Sequence, residues 1–301
     1  MITNHEGHVR IITIGITMLG IFLLAGDVSA ATPVSSCGVI YSPGEYVLTR
    51  SIINSTAIYC INIISSNVIF DGAGYTIDGT ATSGTKGVYV YNSSKSLTNV
   101  TVKNLKVTDW YYGIYYVNIQ TGSIINNTAS SNVYGILLSQ SSYSILNNNT
   151  ASLNNIGIML YQSNYNTLTS STAISNDYGI DLSSSSYNML ISNNASNNRN
   201  YGVFLFSFGF TGNYNIIYNN YFNNINNSRI LSIPNSWNTT KKAGTNIVGG
   251  HHIGGNFWGN PNGTGFSQTC TDRNGDGICD SPYTLFSNNI DYLPLAYKSK
   301  Y

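Results

Sequence analysis

A chain of 301 residues with 42% hydrophobic content is long enough to bury a substantial core, which argues against a disordered polymer. Only 8% of residues are charged, and 13 basic against 12 acidic side chains leave a net charge of +1. That balance gives no electrostatic footprint for nucleic acid or an anionic membrane, so nucleic acid is dropped as a partner. Polarity comes from Asn, Ser and Thr instead, alongside 29 Gly and 24 Tyr.

Residues 1–30 read as a signal peptide. Arg10 precedes an apolar run from Ile11 to Gly26, and Val28-Ser29-Ala30 has the small-x-small form of a cleavage site. The run is short for a bilayer span, and a cleavage site follows at once. No later stretch is apolar for long enough to span, and the chain ends at Tyr297-Lys298-Ser299-Lys300-Tyr301. The expectation is an exported protein with no transmembrane segment after signal removal, secreted or held at the cell surface.

Residues 31–80 read as an N-terminal cap with the first turns. Four cysteines lie beyond the leader, Cys37 and Cys60 near one end, Cys270 and Cys279 near the other. Export permits disulfides, and proximity in sequence favours Cys37–Cys60 and Cys270–Cys279. Four cysteines allow three connectivities, and free thiols or a metal site stay open.

Residues 81–248 carry the strongest signal, an internal repeat. Tyr112-Gly113-Ile114 recurs as Tyr134-Gly135-Ile136, Ile156-Gly157-Ile158, Tyr178-Gly179-Ile180 and Tyr201-Gly202-Val203, at steps of 22, 22, 22 and 23. Ala129, Ala151, Ala173 and Ala195 keep the same step, as do Ile124, Leu146, Leu168 and Leu190. Within a unit the apolar positions fall two apart, which is strand periodicity. The fold class expected is therefore all-β: a right-handed parallel β-helix of about 22-residue turns, three short strands to a turn, each turn stacked on the next. Asn132, Asn154, Asn176 and Asn198 then form an amide ladder, and the Gly before the Ile column marks a corner that needs room or positive φ. A leucine-rich repeat fits poorly, because its spaced leucines are missing.

Residues 249–301 form a C-terminal segment with one sharp motif, Asp272-Arg273-Asn274-Gly275-Asp276-Gly277-Ile278-Cys279-Asp280. Oxygen ligands at Asp272, Asn274, Asp276 and Asp280, with the Ile278 carbonyl, match most of an EF-hand-type calcium loop. Tyr283 stands where a bidentate Glu is expected, so Asp291 or water would complete the shell. The motif is similar to dockerin and thrombospondin-type loops, and structural Ca²⁺ is the cofactor expected. The plainer alternative is an Asp/Asn/Gly turn stapled by a disulfide.

The units, Tyr134 to Ser152 for example, resemble the repeats of NosD-like proteins and of carbohydrate-binding and sugar-hydrolase β-helix proteins. Val68-Ile69-Phe70-Asp71-Gly72-Ala73-Gly74-Tyr75-Thr76-Ile77-Asp78-Gly79 is similar to the N-terminal turns of that superfamily. Gly254-Gly255-Asn256-Phe257-Trp258-Gly259 through Asp291-Tyr292-Leu293-Pro294-Leu295 is similar to the ends of archaeal envelope members. The likeness implies the fold and raises a copper-assembly role. Copper prefers His, Cys and Met, and the chain offers His251, His252, Met159 and Met189 beyond its leader.

A polysaccharide lyase or hydrolase would need clustered carboxylates. From Trp110 to Asn198 the ionised groups are Asp177 and Asp181; Asp71, Asp78 and Asp109 lie in earlier turns. Binding demands less. Outward Tyr115, Tyr161, Phe204 and Phe206, and the turn column Tyr143, Tyr165 and Tyr187, set aromatic groups in rows on which sugar rings stack, unless the columns only stabilise the solenoid. Nine Asn-x-Ser/Thr sequons permit glycosylation without indicating it in so Asn-rich a chain. The reading is a noncatalytic exported protein that contacts carbohydrate or envelope components, with the enzyme and the copper accessory as alternatives.

Overall fold

Each 22-residue unit closes one rung of a parallel β-solenoid. The computed structural model describes residues 30–207, 214–231 and 234–297, so the expected leader lies outside the described residues save for Ala30. In one rung Tyr134–Ser139, Ile145–Asn147 and Thr150–Ser152 are strands. They pair in parallel with Ile156–Tyr161, Thr167–Thr169 and Thr172–Ile174 one unit later. Repeating this step builds three sheets. Among the described residues, sheet I runs through nine strands from Gly38–Ile40 to Ser228–Leu231. Sheet II runs through nine from Thr32–Val34 to Ile216–Tyr218, and sheet III through eight from Thr76–Asp78 to Phe257–Gly259.

Two-residue alternation decides which side chains face inward. Ile136, Leu138, Leu146 and Ala151 are fully buried, and so are Ile158, Leu160, Leu168 and Ala173 in the next rung. The core is thus a stack of like residues on like residues. Trp110, Trp237 and Trp258 are its largest fully buried side chains.

The corners follow a rule. In the rung that starts at Tyr134, the residues Gln140, Tyr143, Asn148 and Leu153 all take left-handed backbone, with φ from 51° to 58°. Each is followed by a buried polar residue: Ser141, Ser144, Asn149 and Asn154. Left-handed backbone is unfavourable for side chains with a Cβ. Here the kink turns the next side chain inward, where it accepts the backbone N–H of the rung before. Ser163 Oγ accepts from Ser141 N at 3.0 Å, Asn166 Oδ1 from Ser144 N at 2.9 Å, and Asn176 Oδ1 from Asn154 N at 2.9 Å. Corner amides that sheet pairing leaves over are satisfied in this way, as buried backbone requires.

The predicted ladder is present and extends further than expected. Nδ2 of Asn132 donates to Asn154 at 3.1 Å, Asn154 to Asn176 at 3.0 Å, Asn176 to Asn198 at 3.2 Å and Asn198 to Asn224 at 3.1 Å. Two further ladders that hold Asn run at other corners, Asn127–Asn149–Ser171–Asn193–Asn220–Asn256 and Ser144–Asn166–Asn188–Asn215–Asn235, and the fourth corner carries the hydroxyl row Ser141–Ser163–Ser185. Of the two needs expected of the glycine column, room holds and positive φ does not, and the glycine lies in a strand rather than at a corner. Gly157 lies inside a strand, outside the left-handed region, and its requirement is space alone. A Cβ there would sit 2.7 Å from the Gly179 carbonyl and 2.8 Å from Asn176 Nδ2.

Both ends are stapled. Cys37–Cys60 joins the first two rungs of sheet I, and Cys270–Cys279 closes the C-terminal segment. That segment adds a short helix, Phe266–Thr269, and a hairpin of Tyr283–Phe286 with Asn289–Asp291. Trp237 Nε1 donates to Asn289 Oδ1 at 3.0 Å, and Trp258 Nε1 to Asp291 Oδ2 at 2.9 Å, tying the cap to the last rungs. Among the described residues no helix is long and apolar enough to cross a membrane.

Candidate functional site

Outward residues of sheet I stand in columns, one residue per rung. One column runs Asn62, Tyr89, Tyr115, Leu137, Met159, Asp181, Phe204, Arg229, and its neighbour runs Tyr59, Lys86, Tyr112, Tyr134, Ile156, Tyr178, Tyr201. Rung stacking therefore brings rings together without any loop to position them. Tyr59 and Tyr89 stack at 5.2 Å, Tyr112 and Tyr115 at 4.6 Å, and Tyr112 and Tyr134 at 5.1 Å. Lys86 enters this cluster with Nζ 4.9, 5.4 and 5.5 Å from the ring centres of Tyr59, Tyr89 and Tyr112, and it donates to the Gly84 carbonyl at 2.6 Å. Partial burial lowers the Lys86 pKa, while the ring faces favour its charged form.

Beside the cluster lies an open groove of about 390 Å³ lined by Tyr59, Tyr89, Tyr91, Asn62, Asn92 and Ser94, among others. Asn92 is pinned by a bond from Nδ2 to the Ile64 carbonyl at 2.9 Å, and its Oδ1 accepts from Ser94 N at 2.9 Å. Asn62 Oδ1 has no hydrogen-bond partner among the described residues. Aromatic walls with amides and hydroxyls between them can stack a sugar ring and bond its hydroxyls.

The four outward aromatics expected from the sequence do not form one platform. Tyr115 joins the cluster just described, with its ring 5.5 Å from Tyr89. Phe204 and Phe206 lie parallel at 6.4 Å near the other end, beside Tyr178 and Tyr201. Tyr161 pairs in register with Ser139 and Ser183, between the two groups. A second groove of about 290 Å³ at the far end is lined by Tyr201, Arg229, Leu285 and Phe286. Arg229 Nη1 donates to the Tyr201 hydroxyl there at 3.2 Å. Sequence reasoning missed Tyr59, Tyr89, Tyr91 and Lys86. The available signal was Lys86-Gly87-Val88-Tyr89, which repeats the pattern of Tyr112-Gly113-Ile114-Tyr115 at a step of 26.

The turn column Tyr143, Tyr165, Tyr187 extends to Tyr214. Successive rings stack at 5.1, 5.0 and 5.4 Å with planes within 13°. Because the faces meet one another, solvent reaches mainly the edges and hydroxyls, so a sugar cannot stack on each ring in turn. All four residues are left-handed, at a cost of roughly 1 kcal/mol each, which three stacked pairs at about 1 kcal/mol each offset only in part.

The carboxylates are scattered except for Asp78 and Asp109, which lie side by side. Asp177 pairs with Arg199 at 2.9 Å and Asp71 with Lys103 at 3.3 Å. Asp78 accepts from Thr108 Oγ1 at 2.6 Å; Asp109 is pushed above the usual carboxylate range by burial and then by Asp78 beside it. Asp181 belongs to the expected outward column but is only 5% exposed. Burial raises it to about 6, although Ser183 Oγ donates to it at 2.6 Å.

In the C-terminal loop Asp272, Asn274 and Asp276 turn their oxygens onto the loop's own N–H groups. Asp272 accepts from Asp276 N at 3.1 Å and Gly277 N at 2.8 Å, and Asn274 from Asp276 N at 3.0 Å. Gly277 has φ 85°, as position six of such a loop requires. Asp280 pairs with Arg273 at 3.5 Å, and Lys241 pairs with Asp276. Burial pushes Asp276 up, but Lys241, the Ile278 N–H and Asn274 outweigh it and hold it below the usual carboxylate range. Asp291 is not at this loop. It is fully buried under the last rung, where it accepts from Asn256 N at 2.7 Å and from Trp258.

The donors for copper do not converge. All four cysteines are in disulfides. Met159 is on sheet I and Met189 on sheet II, and His252 Nδ1 lies 2.9 Å from the Asp276 carbonyl. Among the described residues no group of three or more His, Cys, Asp or Glu comes together, so the residues present do not fit a copper centre.

Residues 49–263 match the family model described as "Periplasmic copper-binding protein (NosD)". No curated protein matches the chain. Solved structures similar to it include the Dettilon tailspike protein, 14% identical over 64% of this chain and 47% of that one, with a TM-score of 0.41. Another is the enzymatically active domain of tailspike protein 2 of bacteriophage CBA120, 14% identical over 55% of this chain and 36% of that one, at 0.38. The A-module of a mannuronan C-5 epimerase from Azotobacter vinelandii is 12% identical over 66% of this chain and 87% of that one, at 0.32. The chain thus spans less than half of either tailspike chain.

Proposed function

The chain belongs to the periplasmic copper-binding protein (NosD) family, and from that footing we propose that it is an exported, noncatalytic protein that binds carbohydrate at the cell envelope or surface. The observation that carries this reading is the groove walled by Tyr59, Tyr89 and Tyr91 with Asn62, Asn92 and Ser94 among its lining and Lys86 beside it. Two disulfides fit an oxidising compartment. Since the donor set does not fit copper, no step is assigned to that metal. A glycan microarray with the full chain should yield a ligand, and Tyr89→Ala should weaken it at least tenfold, as loss of a central aromatic anchor does. Unchanged binding by that variant would remove the groove from the account.

The Asp272–Asp280 loop is proposed as a structural calcium clamp for the end of the solenoid. What supports this is the ligand spacing of Asp272, Asn274 and Asp276 with left-handed Gly277 in a loop held by Cys270–Cys279. Lys241 would compete with the cation for Asp276. Millimolar calcium should therefore raise the melting temperature, and by more in Lys241→Ala. A melting temperature indifferent to both calcium and chelator would sink the clamp.

A further inference from the structure

The corner between sheets I and II carries a feature that the groove does not use. Tyr143, Tyr165, Tyr187 and Tyr214 occupy it on four successive rungs, each ring 48–57% exposed and each backbone left-handed. Asn holds the same column earlier at Asn99, and other left-handed corners at Asn126 and Asn148, so an easier residue is available to this fold. The left-handed state recurs at every corner, Leu153 and Gln140 included, so what sets this column apart is four aromatic residues in a row.

Three residues ahead of the first three tyrosines runs a second row, Gln140, Gln162 and Ser184, also left-handed. Gln140 Nε2 donates to Gln162 Oε1 at 3.3 Å, which aligns the amides along the axis. Phenol hydroxyls thus form one row, and Gln140 and Gln162 set two amides beside it on adjacent rungs at the rung step of about 4.8 Å, whereas the hydroxyl of Ser184 on the third rung is buried. The surroundings carry almost no charge: Asp177 is paired with Arg199, and Asp181 is buried.

We infer that this ridge binds an uncharged, extended polysaccharide lying parallel to the solenoid axis, one sugar per rung, with tyrosine hydroxyls and glutamine amides bonding the hydroxyls of successive sugars. A β-1,4-linked pyranose chain is extended and advances by about one rung per sugar, whereas an α-1,4-linked chain coils away from the axis. The ring edges presented by the stack suit hydrogen bonding along such a chain rather than face stacking. This inference stands apart from the groove at residues 59–94.

The test titrates the full chain with cellohexaose and chitohexaose, with maltohexaose and the corresponding disaccharides as controls. At least one β-linked hexasaccharide should bind at least tenfold more tightly than its disaccharide and than maltohexaose. The double variant Tyr165→Asn/Tyr187→Asn should lose at least tenfold in affinity with an equal or higher melting temperature, because Asn accepts left-handed backbone. Repeated in the Tyr89→Ala background, which disables the groove, the same tenfold differences should be seen, which separates the ridge from the groove. Failure of both β-linked probes to bind the wild type would overturn the inference. So would equal binding by maltohexaose, wild-type affinity in the double Asn variant, or a lowered melting temperature there, which would make the stack purely structural.

Discussion

Truncating Asn154 to Ala is expected to destabilise the solenoid by about 4 kcal/mol, a large loss for one polar side chain. Asn154 Oδ1 accepts from Asn132 N at 2.9 Å and Asn132 Nδ2 at 3.1 Å, and its Nδ2 donates to the Ala129 carbonyl and to Asn176 Oδ1, each at 3.0 Å. Removing it leaves Asn132 N without its acceptor and takes one bond each from Asn132 Nδ2, the Ala129 carbonyl and Asn176 Oδ1 on the two neighbouring rungs, and a buried orphan alone costs roughly 1–3 kcal/mol. Gly157→Ala should act on the same contact from outside, since its Cβ would meet Asn176 Nδ2 and the Gly179 carbonyl at once. Urea midpoints measure both effects. Asn155→Ala, at an exposed neighbour, should change stability by no more than about 0.5 kcal/mol. Because Asn154 and Gly157 both meet Asn176, their double variant should fall short of additivity.

Between about pH 4 and pH 7 the protein should lose stability as pH rises, and Asp291 should be the main cause. Asp291 is fully buried, and burial lifts its pKa to about 7 even though Asn256 N, Trp258 Nε1 and Leu293 N donate to it. An unfolded Asp titrates near 4, so across this window the folded chain binds the extra proton and rising pH works against it. Asp181, raised by burial to about 6, adds in the same direction over the lower part of the window. In Asp291→Asn the slope between pH 5 and pH 7 should shrink to what Asp181 leaves, whatever happens to the absolute stability. Thermal melts of both proteins at half-unit steps provide the check. An unaltered slope would mean that Asp291 stays ionised, stabilised by its donors.

How much of this was legible depended on whether a column keeps one residue type. The Asn132, Asn154, Asn176, Asn198 ladder and the Gly-Ile strands repeat the same letters at one step, so register could be read directly. The other two ladders were hidden because Ser171 and Ser144 stand in for Asn, and a hydroxyl accepts a backbone N–H as well as an amide does. Left-handed corners were invisible for a stronger form of the same reason: Gln140, Tyr143, Asn148 and Leu153 share a backbone state and no chemistry. The groove escaped because Tyr59, Lys86 and Tyr112 share a column at steps of 27 and 26, longer than the 22-residue repeat of the later rungs. Asp291 was misplaced because its partners, Asn256 and Trp258, are set by the end of a ladder that only the stacked rungs define.

The central claim is that the outer tyrosine face holds carbohydrate and does no chemistry on it. Its most direct test is to incubate the full chain with its best microarray glycan, measure bound ligand at equilibrium, and weigh the recovered glycan by mass spectrometry. Saturable binding that depends on Tyr89, with the glycan recovered at its original mass, is the result expected. Recovery of shortened or unsaturated products that accumulate with time would contradict the account and make the protein an enzyme.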